Sequence, residues 1–181
     1  RALLERSRSC DAINTSAGIS VGEHAYLRDV IQSMGAEMKF WRVRMRPGAP
    51  IGFGLIDGKP WIGLPGNPVS TMVTFELFAR PAIHKMRGHR KLFRRPVPVV
   101  LDEPVTVGAD LTHFLRAVVT VRGGRSTARL TGPQSSGILT SMSNANALLI
   151  VPAERRTVAA GETLNAILIG DDAELASEFA L

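Results

Sequence analysis

The sequence predicts an α/β protein whose second part is all-β. Three observations carry this. Up to about residue 86, short apolar runs alternate with segments of helical period. Residues 87–96 then form a basic stretch closed by proline. Beyond it, β-branched runs recur between Gly and Asp clusters with no helical period.

Asp11–Thr15 is the first short strand. A helix follows, with Tyr26, Leu27, Val30, Ile31 and Met34 on one face and Gly35 where a C-terminal cap belongs. Met38–Met45 and Ile51–Ile56 read as strands. Asp57-Gly58 is a hairpin turn that leads into the strand Trp61–Leu64. From Asn67, a suitable N-cap with Pro68 at the first helical position, a long helix runs to about Met86. Pro81 is expected to kink or split it. Strands alternating with helices argue for a parallel or mixed sheet covered on both faces. Arg87–Pro96 reads as a solvated linker. Its alternative, a nucleic-acid patch, lacks interleaved aromatics beyond Phe93. Five strands are then expected: Val97–Leu101, Thr112–Val121, Ser126–Leu130, Ala147–Val151 and Thr163–Leu168. Together they predict a small barrel or sandwich.

At 181 residues the chain can bury one large core or two small ones. It is 45% apolar and 21% charged, the balance of an ordinary globular protein. No apolar run approaches the ~18 residues of a membrane-spanning helix. The charged opening Arg1–Arg8 does not read as a secretory signal. A first residue other than Met leads to the expectation of further sequence upstream. The one cysteine, Cys10, rules out an internal disulfide and a cysteine zinc cluster; it is read as buried and inert, and the setting as cytoplasmic. A net charge of +6 favours anionic partners, whether phosphates, oxyanions or nucleic acid.

Two strand–turn–helix junctions stand out. The first turn, Thr15-Ser-Ala-Gly-Ile-Ser-Val-Gly22, offers backbone N–H groups and hydroxyls at a helix N-terminus, which suits an anion. The second, Leu64 to Ser70, has the same order of elements. In open α/β sheets ligands collect at the carboxyl ends of strands, so the two turns suggest one shared cleft. The plainer reading is a pair of tight connections. Between them, Arg42, Arg44 and Arg46 alternate along one strand face. Either they protect an edge strand from aggregation, or Arg42 and Arg46 meet an oxyanion or phosphate with bidentate geometry. The second reading is preferred for the two residues.

His24, His84, His89 and His113 share no metal spacing. Glu76 is read as a hydrogen-bonding residue of its helix. Asp171, Asp172 and Glu174 are read as a solvated tail or helix start.

The stretches TSAGISVGEHAY, FWRVRMRPGAP, GLPGNPVSTMVTFELFARPAI and GPQSSGILTSMSNANALLIVP occur in this order. Together they resemble the molybdopterin molybdenumtransferases, the family of MoeA and the E domain of gephyrin, over nearly the whole chain. The resemblance implies a three-layer molybdopterin-binding domain, truncated at its N-terminus, over residues 1–92, and the family's small β-barrel domain over 93–181. It implies that the substrates are molybdate and adenylylated molybdopterin, that molybdenum is inserted with release of AMP, and that Mg2+ assists. It also implies a homodimer, with no nucleic acid or membrane as partner.

By position, Thr15, Gly18, Ser20 and Gly22 fall on the family's glycine-rich ligand loop. Arg42 and Arg46 fall where the family has basic residues, often lysine. Pro65, Gly66, Asn67, Pro68 and Ser70 fall on its second ligand loop, and Arg116 and Ser136 on positions facing the same cleft. From the residues alone Arg116 reads as a salt-bridged strand residue and Ser136 as a turn hydroxyl. Three departures stand against the family pattern. Ala25 replaces the acid of Gly-Glu-x-Asp, which leaves Glu23 as the one weak metal candidate. Ala17-Gly18 replaces Gly-Gly, and Ala49 replaces a lysine. Ala25 motivates an alternative, a paralogue that binds pterin or nucleotide without turnover. A gephyrin-like scaffold module is the other alternative.

Overall fold

The computed structural model describes residues 9–16, 24–108, 110–170 and 175–176. Its first sheet has the order β1 (Ile13–Ser16), β5 (Lys59–Leu64), β4 (Gly52–Ile56), β2 (Glu37–Phe40). β1 and β5 are parallel, with Thr15 opposite Gly63 and Ser16 opposite Leu64. β4 and β5 form the predicted hairpin, and Asp57 and Gly58 both take positive φ, 51° and 74°. Helix α1 (His24–Ser33) ends at Gly35, φ 78°. The Ala36 N–H donates to Ile31 O and the Gly35 N–H to Gln32 O, so both bonds of a Schellman cap are present.

Side chains of β5 alternate between two layers. Trp61 packs with Ile13, Ile31, Met34 and Ile56 toward α1. Ile62 and Leu64 pack with Ile51, Ala79, Phe78 and Ala82 on the other face. The three-layer, mixed-sheet expectation is met by this two-sided covering.

The long helix is three pieces: α2 (Pro68–Thr74), a π-helical stretch at Phe75–Ala79, and α3 (Arg80–Met86). Pro81 has no N–H for the carbonyl one turn back, and its ring would press on that carbonyl. The wider π turn just before it accommodates the ring, so the helix is interrupted in its bonding where a kink or split is predicted. Val69, Val73 and Leu77 face away from the first sheet, toward the second.

That second sheet is a ring. β7 (Pro96–Leu101), β9 (Thr112–Arg122), β10 (Arg125–Leu130), β11 (Ala147–Val151) and β13 (Thr163–Leu168) pair in the order β10-β7-β13-β11-β9, and β9 closes back on β10. All five predicted strands are therefore present, as a barrel. β9 manages closure by its length: residues 113–117 pair with β11 and 117–122 with β10. Leu101, Leu115, Val119, Leu149, Val151 and Leu164 fill the interior. Phe114, Leu148, Ile150 and Ile167 point outward and meet Val69, Val73 and Leu77 of the long helix.

The structure corrects several expectations. Met38–Met45 is not one strand. The chain leaves the first sheet after Phe40, where the register with β4 has already shifted. It then adds Met45–Arg46 as strand β3, parallel to β9, to the barrel sheet. The pull is burial: Met45 enters the core between helix and barrel, with Val43 packed beside it, while Arg42, Arg44 and Arg46 remain exposed.

The stretch read as a linker also carries structure. Arg87–Lys91 and Arg95 are exposed, but β6 (Phe93–Arg94) pairs with β14 (Leu175–Ala176). Arg94 Nε donates to Glu76 Oε2 at 2.7 Å, and Arg94 NH1 donates to Gly170 O at 2.9 Å. Residues 171–174 lie outside the described residues. Cys10 is exposed, not buried, because it precedes β1 in an unpaired bend. Sequence reasoning also missed α4 (Thr140–Ser143) and the two-residue pair β8 (Val105–Thr106) with β12 (Thr157–Val158), both too short for a periodicity to register.

Candidate functional site

β1 and β5 are parallel neighbours, so the two turns that follow them leave the sheet at one edge. Of the first turn only Thr15 and Ser16 are described. Gly18, Ser20, Gly22 and Glu23 lie outside the described residues, and so does the side chain of Ala25. The Thr15 hydroxyl oxygen is buried and has no hydrogen-bond partner among the described residues.

In the second turn, Asn67 does what its position predicts. Its Oδ1 accepts from the Ser70 N–H at 3.3 Å and from the Ser70 hydroxyl at 3.4 Å. Thr71 donates its hydroxyl to Pro65 O and, at 2.9 Å, to Asn67 O. Pro65 and Ser70 are buried, whereas Gly66 and Pro68 are exposed. This turn holds itself rigid through its own polar side chains, with Gly66 at the surface.

The loop after β3 lies against the same helix. Gly48 has φ 101°, and a Cβ there would overlap Thr74 Cγ2 with Ser70 O close by. Only glycine permits this approach. The Arg46–Pro47 peptide is cis. Arg46 stands opposite His113 on β9.

A cleft of about 420 Å³ opens beside β3, where β10 has left β9. Arg46, Thr106, His113, Arg116, Gln134, Ser135 and Ser136 supply its polar lining, with Pro47, Leu115 and Leu130 in the apolar wall. Three of the residues singled out from sequence, Arg46, Arg116 and Ser136, therefore meet in one cleft. Arg42 and the Pro65–Ser70 turn are not in its lining. Among the described residues, the lining has no carboxylate.

Arg116 is the unusual member. It is only 1% exposed. Its Nε donates to Ser141 Oγ at 3.0 Å and its NH2 to Ser135 O at 3.1 Å. No carboxylate pairs with it among the described residues. Burial holds its pKa below the ordinary arginine value. The salt-bridge reading of Arg116 is thus corrected: its bonds run to neutral oxygens.

Backbone groups of Arg116 are met by an amide. Gln134 Oε1 accepts from the Arg116 N–H at 2.8 Å, and Gln134 Nε2 donates to Arg116 O at 3.1 Å. Gln134 thereby takes the place of the strand that β10 no longer provides. Asn146 serves Val119 in a similar way on the opposite edge of β9, next to the start of β11, with bonds of 2.7 and 2.9 Å. Gln134, Ser135 and Ser141 were not selected from sequence, although all three stand in the GPQSSG…SNANALL stretch. His113 gave no sequence signal.

Chemically, two guanidinium groups and neutral donors beside an apolar wall suit a multiply charged oxyanion. Hard divalent cations need carboxylate oxygens, and this lining does not supply them. Among the described residues, no group of three His, Cys, Asp or Glu side chains could hold a metal ion. No helix among them is long and apolar enough to cross a membrane.

Comparison with known proteins agrees with this architecture. Residues 1–85 match the family described as "Probable molybdopterin binding domain", and residues 98–169 match "MoeA C-terminal region (domain IV)". The chain is 34% identical over 163 residues to a molybdopterin molybdenumtransferase of Staphylococcus aureus, which spans 90% of this chain and 39% of that protein. A Staphylococcus epidermidis enzyme of the same name is 31% identical over 158 residues. Among solved structures, a molybdopterin biosynthesis MoeA protein from Pyrococcus horikosii superposes with a TM-score of 0.71 at 27% identity, over 92% of this chain and 39% of that one. A molybdenum cofactor biosynthesis protein from Pyrococcus furiosus gives 0.68 at 26% identity, over 93% and 53%. The chain thus spans about two fifths of the length of the curated relatives it matches.

Proposed function

The chain belongs to the molybdopterin molybdenumtransferase family, and from that premise we propose that it forms the later part of an enzyme of molybdenum cofactor biosynthesis. The reaction proposed is insertion of molybdenum from molybdate into adenylylated molybdopterin, with release of AMP. Residues 1–92 would act as the pterin-binding part and 93–181 as the barrel part, in a cytoplasmic homodimer.

One observation carries the reading to a substrate. Arg46 and Arg116 converge from different segments on a cleft whose lining has no carboxylate among the described residues. A tetrahedral dianion would be held there by charge-assisted hydrogen bonds, with Ser136 as a further donor. The two turns at the ends of β1 and β5 would hold the pterin–nucleotide, through Thr15, Gly18, Ser20 and Gly22 on one and Pro65, Gly66, Asn67, Pro68 and Ser70 on the other. Arg42 would neutralise phosphate at the cleft's approach. Mg2+ belongs to the reading through Glu23 alone. The described cleft does not fit it, so no role of these residues is derived through the cation.

Calorimetric titration with molybdate tests the proposal. Arg116→Ala and Arg46→Ala should each weaken binding by about tenfold or more, the scale of a lost charge-assisted bond. Wild-type affinity in both variants would sink the reading. Ala25 favours a second reading, in which ligand binds without turnover. Insertion activity that appears only on Ala25→Asp would establish it; equal activity of the two forms would remove it.

A further inference from the structure

A buried guanidinium with no carboxylate partner is costly, and the structure shows how this one is tolerated. The Ser141 hydroxyl donates to Ile138 O at 2.6 Å, which fixes its proton away from Arg116. A lone pair of the same oxygen is thereby aimed at Arg116 Nε, 3.0 Å away. Ser141 is itself 2% exposed, in the first turn of α4. The Thr131 hydroxyl ties the carbonyls of both residues, sharing its one proton between Ser141 O at 2.9 Å and Arg116 O at 3.2 Å. With the Ser135 carbonyl on NH2 and Gln134 on the backbone, residues 131–143 grip Arg116 on several sides without one negative charge.

We propose that Ser141 is a positioning residue for the oxyanion subsite: its oxygen aims the Arg116 side chain into the cleft while leaving the positive charge unspent for the ligand. This rests on the reading of the cleft given above. A carboxylate at position 141 would satisfy the same N–H more strongly, but it would neutralise the guanidinium before any substrate arrived. Two of the guanidinium N–H groups are engaged by neutral acceptors, and the fork carries others that can meet a tetrahedral anion.

The test uses the whole chain, with molybdate as the probe, and reads binding and thermal unfolding side by side. Ser141→Ala should weaken molybdate about tenfold, and Ser141→Thr, which restores an oxygen, should recover most of that loss. Ser141→Asp should move the two readouts apart, with the unfolding temperature held or raised and molybdate binding reduced by at least about tenfold. A merely structural serine would move them together. If Arg116→Ala abolishes binding while Ser141→Asp binds as tightly as wild type, the positioning role is overturned and the cleft stands. If Arg116→Ala leaves binding intact, the cleft reading falls and this proposal falls with it. Should Ser141→Ala fail to fold, the comparison between Ser141→Asp and wild type decides alone.

Discussion

Gly48 shows how a single residue can set the site. Its φ of 101° and the overlap an added methyl would make with Thr74 allow no other side chain. Gly48→Ala should cost about 1–3 kcal/mol in urea unfolding, because the loop carrying Arg46 must lift from α2. His84 makes a second prediction. Its Nδ1 is buried without a partner among the described residues, and its ring meets His89 edge-on at 4.7 Å. Burial first, then Arg80, His89, Arg87 and Arg94, push its pKa below 6.5. The folded state therefore holds fewer protons than the unfolded chain just below pH 6.5. Stability should be full above that pH and fall as pH drops toward the folded-state pKa. Melting at about pH 7.5 and about pH 5.5 should show the loss, and His84→Gln should narrow the gap. At this scale the sequence was legible where chemistry is local. Asn67 as cap, Gly35 as helix stop and Asp57-Gly58 as turn all follow from neighbours in the chain. Arg116 was not: a lone arginine on a strand reads as a surface charge until burial and distant serines are known.

Among elements, the interrupted helix from Pro68 to Met86 is the hub. One face packs on the first sheet through Phe78, Ala79 and Ala82, and another on the barrel through Val69, Val73 and Leu77. Glu76 on its π-helical turn anchors Arg94, which is 10% exposed in its side chain and also bonds Gly170 O. Arg80, with its Nε 3.9 Å from Glu76, is a weaker second cation. Arg94→Ala should therefore cost about 2 kcal/mol in urea unfolding, the scale of charged hydrogen bonds removed from a mostly buried site. Arg94→Lys should recover only part, since an ammonium cannot reproduce the fork. The helix and its caps were plain in sequence. Its partner was not, because ion pairs such as Glu76–Arg94 link residues whose separation carries no period. The same limit explains β3: two residues that change sheets leave no alternation to read.

Over the whole molecule, the predicted order of an α/β part and a β-barrel part holds, and so does the covering of the first sheet on both faces. Those features follow from hydrophobic patterning, which is repeated over many residues and tolerates local error. The cleft needed more. Arg46 and Arg116 are brought together by a strand exchange; the family resemblance implied one cleft for both, whereas spacing and periodicity gave no sign of it. Ser136 followed the same route. Thr15 remains at the sheet edge, its buried hydroxyl oxygen unpaired among the described residues.

β3 has a consequence for how such a gene can be divided. A breakpoint near residue 92, between the first sheet with its helices and the barrel strands, would separate Met45–Arg46 from the β9 edge at Thr112 and His113. The barrel alone would present an open strand edge and, with Phe114, Leu148 and Ile150 uncovered, a greasy flank. Expressed by itself, residues 93–181 should self-associate, as light scattering can check. Co-expression with residues 1–92 should suppress this. Recombination that swaps barrels between relatives would thus have to move a two-residue splint from the other half along with them.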